Sequence, residues 1–505
     1  MSFTSIAYLL FTAGCAVIYY LIPRRAARYQ YFVLLIFSYV FYLLNGPALI
    51  FFLLFTTFST FFAARLLDRL EDGLKQLGRG AENKARRKEI RKKKKAVFIL
   101  CLVLNFGVLF FLKYLDVWTW ALPLGISFYT FQSMGYLIDV YWGRTRAEQH
   151  PTRFMLFVSF FPQILQGPIG RYERLMLQLA GETEVDGKMV CTGHRLDLVQ
   201  VEHGAQRMLW GYFLKFVIAD RAGAAVSLVN SNYLEYSGTY YAVTALLYAA
   251  QLYGDFAGGM DVVIGTAEIF GIHLDENFKR PYFSCSITDF WHRWHITLGT
   301  WMKDYVFYPM TVSSWMRKLT KGAKKHIGRK GAAILQATIA NILVFLLVGI
   351  WHGKGGKYLV YGLYNGVIIS LEALLGTAHP SQNRVLHLLQ VLVTFILVTI
   401  SWYWDFPTTL SQSNYMLTHA FTDFHLNEIT GQIFVDLHFT PGILAFGCLV
   451  LMVKSLLEEI RQKSIFEQMD ALPRPARWAV YYGVMFSVLI FQNNGLASGF
   501  IYAQF

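Results

Sequence analysis

Three histidines stand where they could do chemistry in this 505-residue chain: His292, His295 and His352. His352 ends a long apolar run, NILVFLLVGIWHG, between Trp351 and Gly353. A histidine in such a run is a structural hydrogen-bond donor, a metal ligand or a proton shuttle. The glycine beside it leaves room for backbone and ligand to approach closely. A neutral imidazole, with an ordinary pKa of about 6.5, suits removal of a proton from a hydroxyl as it attacks a carbonyl. A lone base of that kind needs neither a nucleophilic serine nor a metal. The metal alternative is His292 and His295 at i, i+3 with His352 as third ligand. The chain has no HExxH and no clustered carboxylate set to support it, so no metal is assigned.

These side chains need elements to hold them. In the stretch Pro281 to Pro309, residues Trp291, Trp294, His295, Leu298, Trp301 and Met302 recur at the spacing of one helix face. Arg293, Thr297, Thr300 and Asp304 form a second, polar stripe. Ser286 with Asp289 is a capping box at the start, and Pro309 marks the stop. The pattern predicts one amphipathic helix over 281–309, lining a protein-walled and partly wet cavity. Upstream, QLYGDFAGGMD places Asp255 and Asp261 in an apolar run. Each needs either a partner, such as an arginine or a backbone N–H of the 281–309 helix, or a chemical role. Gly254, Gly258 and Gly259 allow close helix approach there. In MLFVSFFPQILQGPIGRYERL, Pro162, Gly167 and Pro168 break an apolar run too short to span, which predicts a re-entrant or interfacial segment. Gln163, Gln166 and Arg171 in it either face substrate or satisfy the interrupted backbone.

With 55% hydrophobic, 17% aromatic and 15% charged residues, the chain reads as an all-α polytopic membrane protein. Its net charge of +14 lies between apolar spans rather than on a soluble domain, which argues against nucleic acid as a partner. Positive-inside placement of Arg24, Arg25 and Arg28, of the basic loop over 64–95 with its run KARRKEIRKKKK, and of the Arg317 to Lys330 loop puts the N-terminus outside. The 84–95 run is a topology signal attracted to anionic membrane lipids, or a funnel for an anionic donor such as coenzyme A or an acidic carrier protein. Counting spans gives about eleven membrane segments in one domain over 1–505, the first (Ile6 to Ile22) retained rather than cleaved. His352 falls about twenty residues beyond the second basic loop, in the middle or outer part of the membrane, and His295 nearer the cytoplasmic side. Gly181 to His194 reads as a surface loop, and Asp220-Arg221 as a local ion pair. Five cysteines without CxxC spacing read as inert thiols.

Together, Asp289-Phe290-Trp291-His292-Arg293-Trp294-His295-Ile296-Thr297-Leu298, Trp301, Lys303-Asp304-Tyr305 and Gly349-Ile350-Trp351-His352-Gly353 resemble the signature of the membrane-bound O-acyltransferase (MBOAT) family. The similarity extends to SFYTFQSMGYLIDVY, SFFPQILQGPIGRYERL and LYGDFAGGMDVVIG, and so covers most of the chain. His292 and Lys303 stand where arginine is usual. The resemblance implies a helical fold around a central tunnel, a thioester donor (acetyl-coenzyme A or acyl carrier protein) entering from the cytosol with no bound cofactor, and an extracytoplasmic acceptor. It implies that His352 is the essential histidine and His295 the second, more cytoplasmic polar position. Trp291, Trp294, Trp301, Trp351, Arg293, Gln166, Asp255 and Asp304 are then expected along the substrate path. The last six residues, FIYAQF, resemble the FxYxxF ending of the branch acting on envelope polymers, on the side of alginate O-acetylation rather than teichoic-acid D-alanylation. There Tyr502 is expected to carry the acyl group before an exported SGNH-type partner takes it, because an aryl ester is activated. An interfacial aromatic anchor is the other use of such a tail. The rival functions are D-alanyl transfer, a polymer or lipid transporter without chemistry, and a membrane metal oxidase. The expected location is the bacterial cytoplasmic membrane.

Overall fold

A computed structural model describes residues 1–78, 80–115, 123–185, 188–438, 440–492 and 500. Helices dominate, as the apolar periodicity requires. One two-stranded hairpin, Glu182–Val185 paired antiparallel with Lys188–Cys191, replaces the plain loop expected there. Its signal was available: Asp186-Gly187 between Val185 and Lys188 is a two-residue hairpin sequence.

Among the described residues six helices are long and apolar enough to cross a membrane: Arg24–Asn45, Ile50–Gln76, Lys84–Tyr114, Ser314–His352, Gly356–Leu375 and Arg384–Trp402. They expose large apolar side chains, such as Ile99, Leu100 and Val103, or Leu388, Leu392 and Val393. Such faces suit a lipid surround. The basic loop expected over 64–95 is mostly helix. Ile50–Gln76 runs on past Ala64, and Lys84–Tyr114 begins inside the charge run and continues unbroken into its apolar part. Lys, Arg and Glu are good helix formers, and neither glycine nor proline interrupts residues 84–106.

The described chain divides into two compact units. The first comprises Met1–Met208 and Gly259–Asp275 with Phe500. In it the helix Ile126–Trp142 is buried on every face from Ile126 to Ile138. Residues 156–169 are buried too, although the backbone after Ser159 leaves the helical path. Such backbone needs covering protein and internal partners, and it has both. Phe161 N donates to Ser38 Oγ at 3.0 Å, and Gly167 N to Gln163 O at 2.8 Å. At Gly125, with φ +68°, a Cβ would lie 1.8 Å from Ile164 O, so only glycine admits this crossing.

The second unit comprises Leu209–Gly258 and residues 276–492. Its centre is the hairpin of Ser314–His352 and Gly356–Leu375. A Cβ on Gly349 would meet Tyr358 O at 2.2 Å, and one on Gly362 would meet Phe345 O at 2.3 Å, so the two backbones touch. Gly254 and Gly258 similarly face Leu214 O and Gly211 O, the close approach expected of them. Asp255 has a structural partner of the kind expected, in this case a lysine. It is Lys215, at 2.7 Å, on the π-helical turn Leu214–Ala219. Lys215 also takes Asp220 at 2.9 Å, which replaces the expected Asp220-Arg221 pair, while Arg221 donates to Phe491 O at 2.5 Å. In the first unit, Asp261 pairs with Arg207 at 3.0 Å.

Candidate active site

The predicted single helix over 281–309 is in fact broken. Pro281–Phe283 is a 3-10 turn, followed by helices Ile287–Arg293 and Ile296–Met302, the π turn Lys303–Phe307, and Tyr308–Thr311, which runs through Pro309. The Ser286 cap is as expected, accepting from Asp289 N at 3.0 Å. The break falls on His295, which has φ +48° and ψ 51°. A non-glycine residue in that region is held there by its surroundings, a common trait of functional positions.

What holds it is Asn277. The Asn277 backbone carbonyl accepts from Ile296 N at 3.0 Å, and its Oδ1 accepts from Thr297 N at 3.0 Å and Thr297 Oγ1 at 2.8 Å. His295 Nδ1 lies 3.4 Å from the same Oδ1. A bridge between Phe278 and Trp294 extends the tie. Two side chains from the Gly356–Leu375 helix hold the preceding helix. Both carboxylate oxygens of Glu372 receive its first donors, Ile287 N at 2.6 Å, Thr288 N at 2.9 Å and Thr288 Oγ1 at 2.7 Å. Asn365 Oδ1 accepts from Trp291 Nε1 at 3.0 Å. None of Asn277, Asn365 or Glu372 was singled out from sequence, because each acts across a long chain separation.

His295 and His352 meet the same indole. The His295 ring centroid is 5.7 Å from Trp351 and 4.8 Å from Phe256, and His352 is 5.0 Å from Trp351 and 5.3 Å from Tyr361. Trp294, Trp402 and Tyr361 continue the aromatic wall, with centroids 5.6 and 6.1 Å apart. His295 and His352 are both buried, whereas His292 is exposed, so the three do not converge as ligands. Burial, and after it the neighbouring His352, lowers the pKa of His295 to about 3, so its imidazole is neutral at physiological pH.

The other expected path residues are spread out. Asp255 is tied to Lys215, and its neighbour Phe256 packs edge-on to His295. Trp301 is buried against Tyr305, and Asp304 is half-buried on the π turn. Arg293 pairs with Asp289 at 2.9 Å and reaches Glu459 at 3.7 Å, and Glu459 also takes Arg280. Gln166 belongs to the first unit. Tyr502 lies outside the described residues.

The profile of the membrane-bound O-acyltransferase family matches residues 148–402, half of the chain and all of the histidine site. The chain belongs to this family. As a member, it is similar to the probable alginate O-acetylase AlgI of Pseudomonas aeruginosa, 36% identical over 282 residues that cover 56% of this chain and 48% of the relative. The peptidoglycan O-acetyltransferase of Helicobacter pylori is 30% identical over 353 residues, 61% of each chain. The teichoic acid D-alanyltransferase of Bacillus subtilis is 30% identical over 289 residues, 55% of this chain and 67% of the relative. The match spans 48% to 61% of the length of three AlgI relatives.

Proposed function

We propose that this family member transfers an acyl group, acetyl in the first instance, from a cytosolic thioester across the membrane to a hydroxyl of an extracytoplasmic polysaccharide. The observation that carries the proposal is the pair of buried imidazoles packed against Trp351, inside the family-matched region. His352 removes the proton of the attacking hydroxyl. The carbonyl carbon gains a C–O bond and loses its C–S bond, and the proton leaves with the thiol. His295, neutral and held by Asn277, shapes the donor side with Trp291, Trp294, Trp301 and Trp351, while Arg293, Asp304 and Asp255 fix the elements that carry them. Tyr502 is the first acceptor, and an exported SGNH-type acyltransferase takes the acyl group from it. About eleven membrane segments, a central tunnel and an external N-terminus complete the proposal. The donor is acetyl-coenzyme A or an acyl carrier protein.

The likeness to the peptidoglycan and alginate O-acetylating relatives favours acetyl, and that to the D-alanyltransferases supports D-alanyl as the second reading. Reconstituted enzyme given radiolabelled acetyl or D-alanyl thioester separates the two. His352→Ala is expected to lower transfer at least 10²-fold, the scale of losing a general base. Full transfer by that variant refutes the role of His352. Label absent from Tyr502, with Tyr502→Phe fully active, refutes the acyl-tyrosine step.

A further inference from the structure

The broken segment of the first unit carries two glutamines three residues apart, and they behave differently. Gln163 does what an interrupted backbone asks: its Nε2 donates to Pro168 O and, at 2.7 Å, to Gln132 Oε1. Gln166 does not. Its side chain is fully buried, and among the described residues neither its Nε2 nor its Oε1 has a hydrogen-bond partner. A buried amide with its donors and acceptor unmet destabilises the fold, and an apolar side chain of similar size would remove that cost.

The chain nevertheless makes room for it. A Cβ on Gly259 would lie 1.5 Å from Gln166 Nε2 and 3.2 Å from Phe500 Cδ1, so no side chain other than hydrogen fits at 259 while the amide is in place. Phe500, buried and apolar, lies over the same glycine. Neither neighbour offers a counter-charge, so an ion brought against the amide would keep its full desolvation cost. A neutral group that accepts from an N–H would not.

We infer that Gln166 is a ligand-binding residue whose amide hydrogen-bonds a neutral carbonyl, and, resting on the acyl-transfer reading above, that this carbonyl is the ester or thioester carbonyl of the acyl group in transit. No bond forms or breaks at Gln166. Its N–H donates to the carbonyl oxygen, and Gly259 sets where that donor sits.

The test uses the full chain in lipid nanodiscs with a thioester donor labelled with ¹³C at the acyl carbonyl. Gln166→Leu is expected to melt at or above the wild-type temperature while acyl transfer falls about 10-fold, the scale of losing one hydrogen bond to a bound carbonyl. The isotope-edited carbonyl band of bound donor should move to higher frequency. Gly259→Ala, which keeps the amide but displaces it, should lower transfer in the same direction. Wild-type transfer and an unmoved band in Gln166→Leu overturn the inference. So does a large drop in its melting temperature or failure to fold, since the amide would then be a structural group. If wild type transfers acyl, His352→Ala does not and Gln166→Leu does, the inference alone fails. If wild type transfers no acyl group from any thioester, the reading beneath it fails as well.

Discussion

Glu372 is the position whose removal is easiest to quantify. Its two carboxylate oxygens receive three donors at the start of Ile287–Arg293, at 2.6, 2.9 and 2.7 Å, and its side chain is only 9% exposed with its residue. A hydrogen bond to a charged group contributes about 1.5–3 kcal/mol, and a carboxylate at a helix N-terminus adds about 0.3–1 kcal/mol. Glu372→Ala strands two backbone N–H groups in a buried setting, and is expected to cost about 3–5 kcal/mol, in the range for breaking a buried charged contact. Glu372→Gln keeps one acceptor and turns an NH₂ toward a donor, so about 1.5–3 kcal/mol is expected. Because the same helix carries Trp291 and ends at the His295 break, both variants should also slow acyl transfer, alanine more. Thermal unfolding in nanodiscs and transfer from labelled donor measure the two effects. A double-mutant cycle with Thr288→Val isolates the hydroxyl contact, with a coupling of about 0.5–3 kcal/mol expected. Glu372→Gln with unchanged stability and rate, or zero coupling to Thr288, would refute the reasoning.

Two further outcomes follow from buried charge. Lys215→Met leaves Asp255 and Asp220 facing each other without their shared cation, and should destabilise by about 3–5 kcal/mol. Adding Asp255→Leu should recover part of that loss in a melting experiment. His295 has its pKa lowered to about 3 in the folded chain, against about 6.5 unfolded. Below pH 6.5 the unfolded chain therefore binds a proton that the folded one does not. Stability contributed by His295 is present above that value and is lost as pH falls toward 3. His295→Phe should flatten the acid limb of the melting temperature against pH in that window, and an unchanged limb would count against the buried neutral imidazole.

Local signals were legible in the sequence and long-range ones were not. The Ser286 cap, the broken backbone after Ser159 and the close approach at Gly254 and Gly258 each follow from residues within a few positions of one another. The helix break at His295 was missed because apolar spacing continues smoothly across it. What bends the chain is Asn277, reaching back from the preceding loop. Asp255 was rightly expected to need a partner, but a π turn that points Lys215 inward has no local sequence mark. The pairing of Glu182–Val185 with Lys188–Cys191 is hard to read from sequence, despite the Asp-Gly between them, because both strands are too polar.

The backbone contact at Gly349 and Gly362 bears on how the site can move. His352 stands at the end of one helix, a short Gly353–Gly355 turn away from the next, and the two helices meet without side chains between them at those glycines. Sliding or splaying such a pair would open voids along the whole seam, so His352 is carried by a tightly packed pair. On the acyl-transfer reading, a passage for the acyl chain opens by rotation of the rings around it, Trp351 and Tyr361 foremost, rather than by motion of the paired helices. His352 stays fixed while its walls turn.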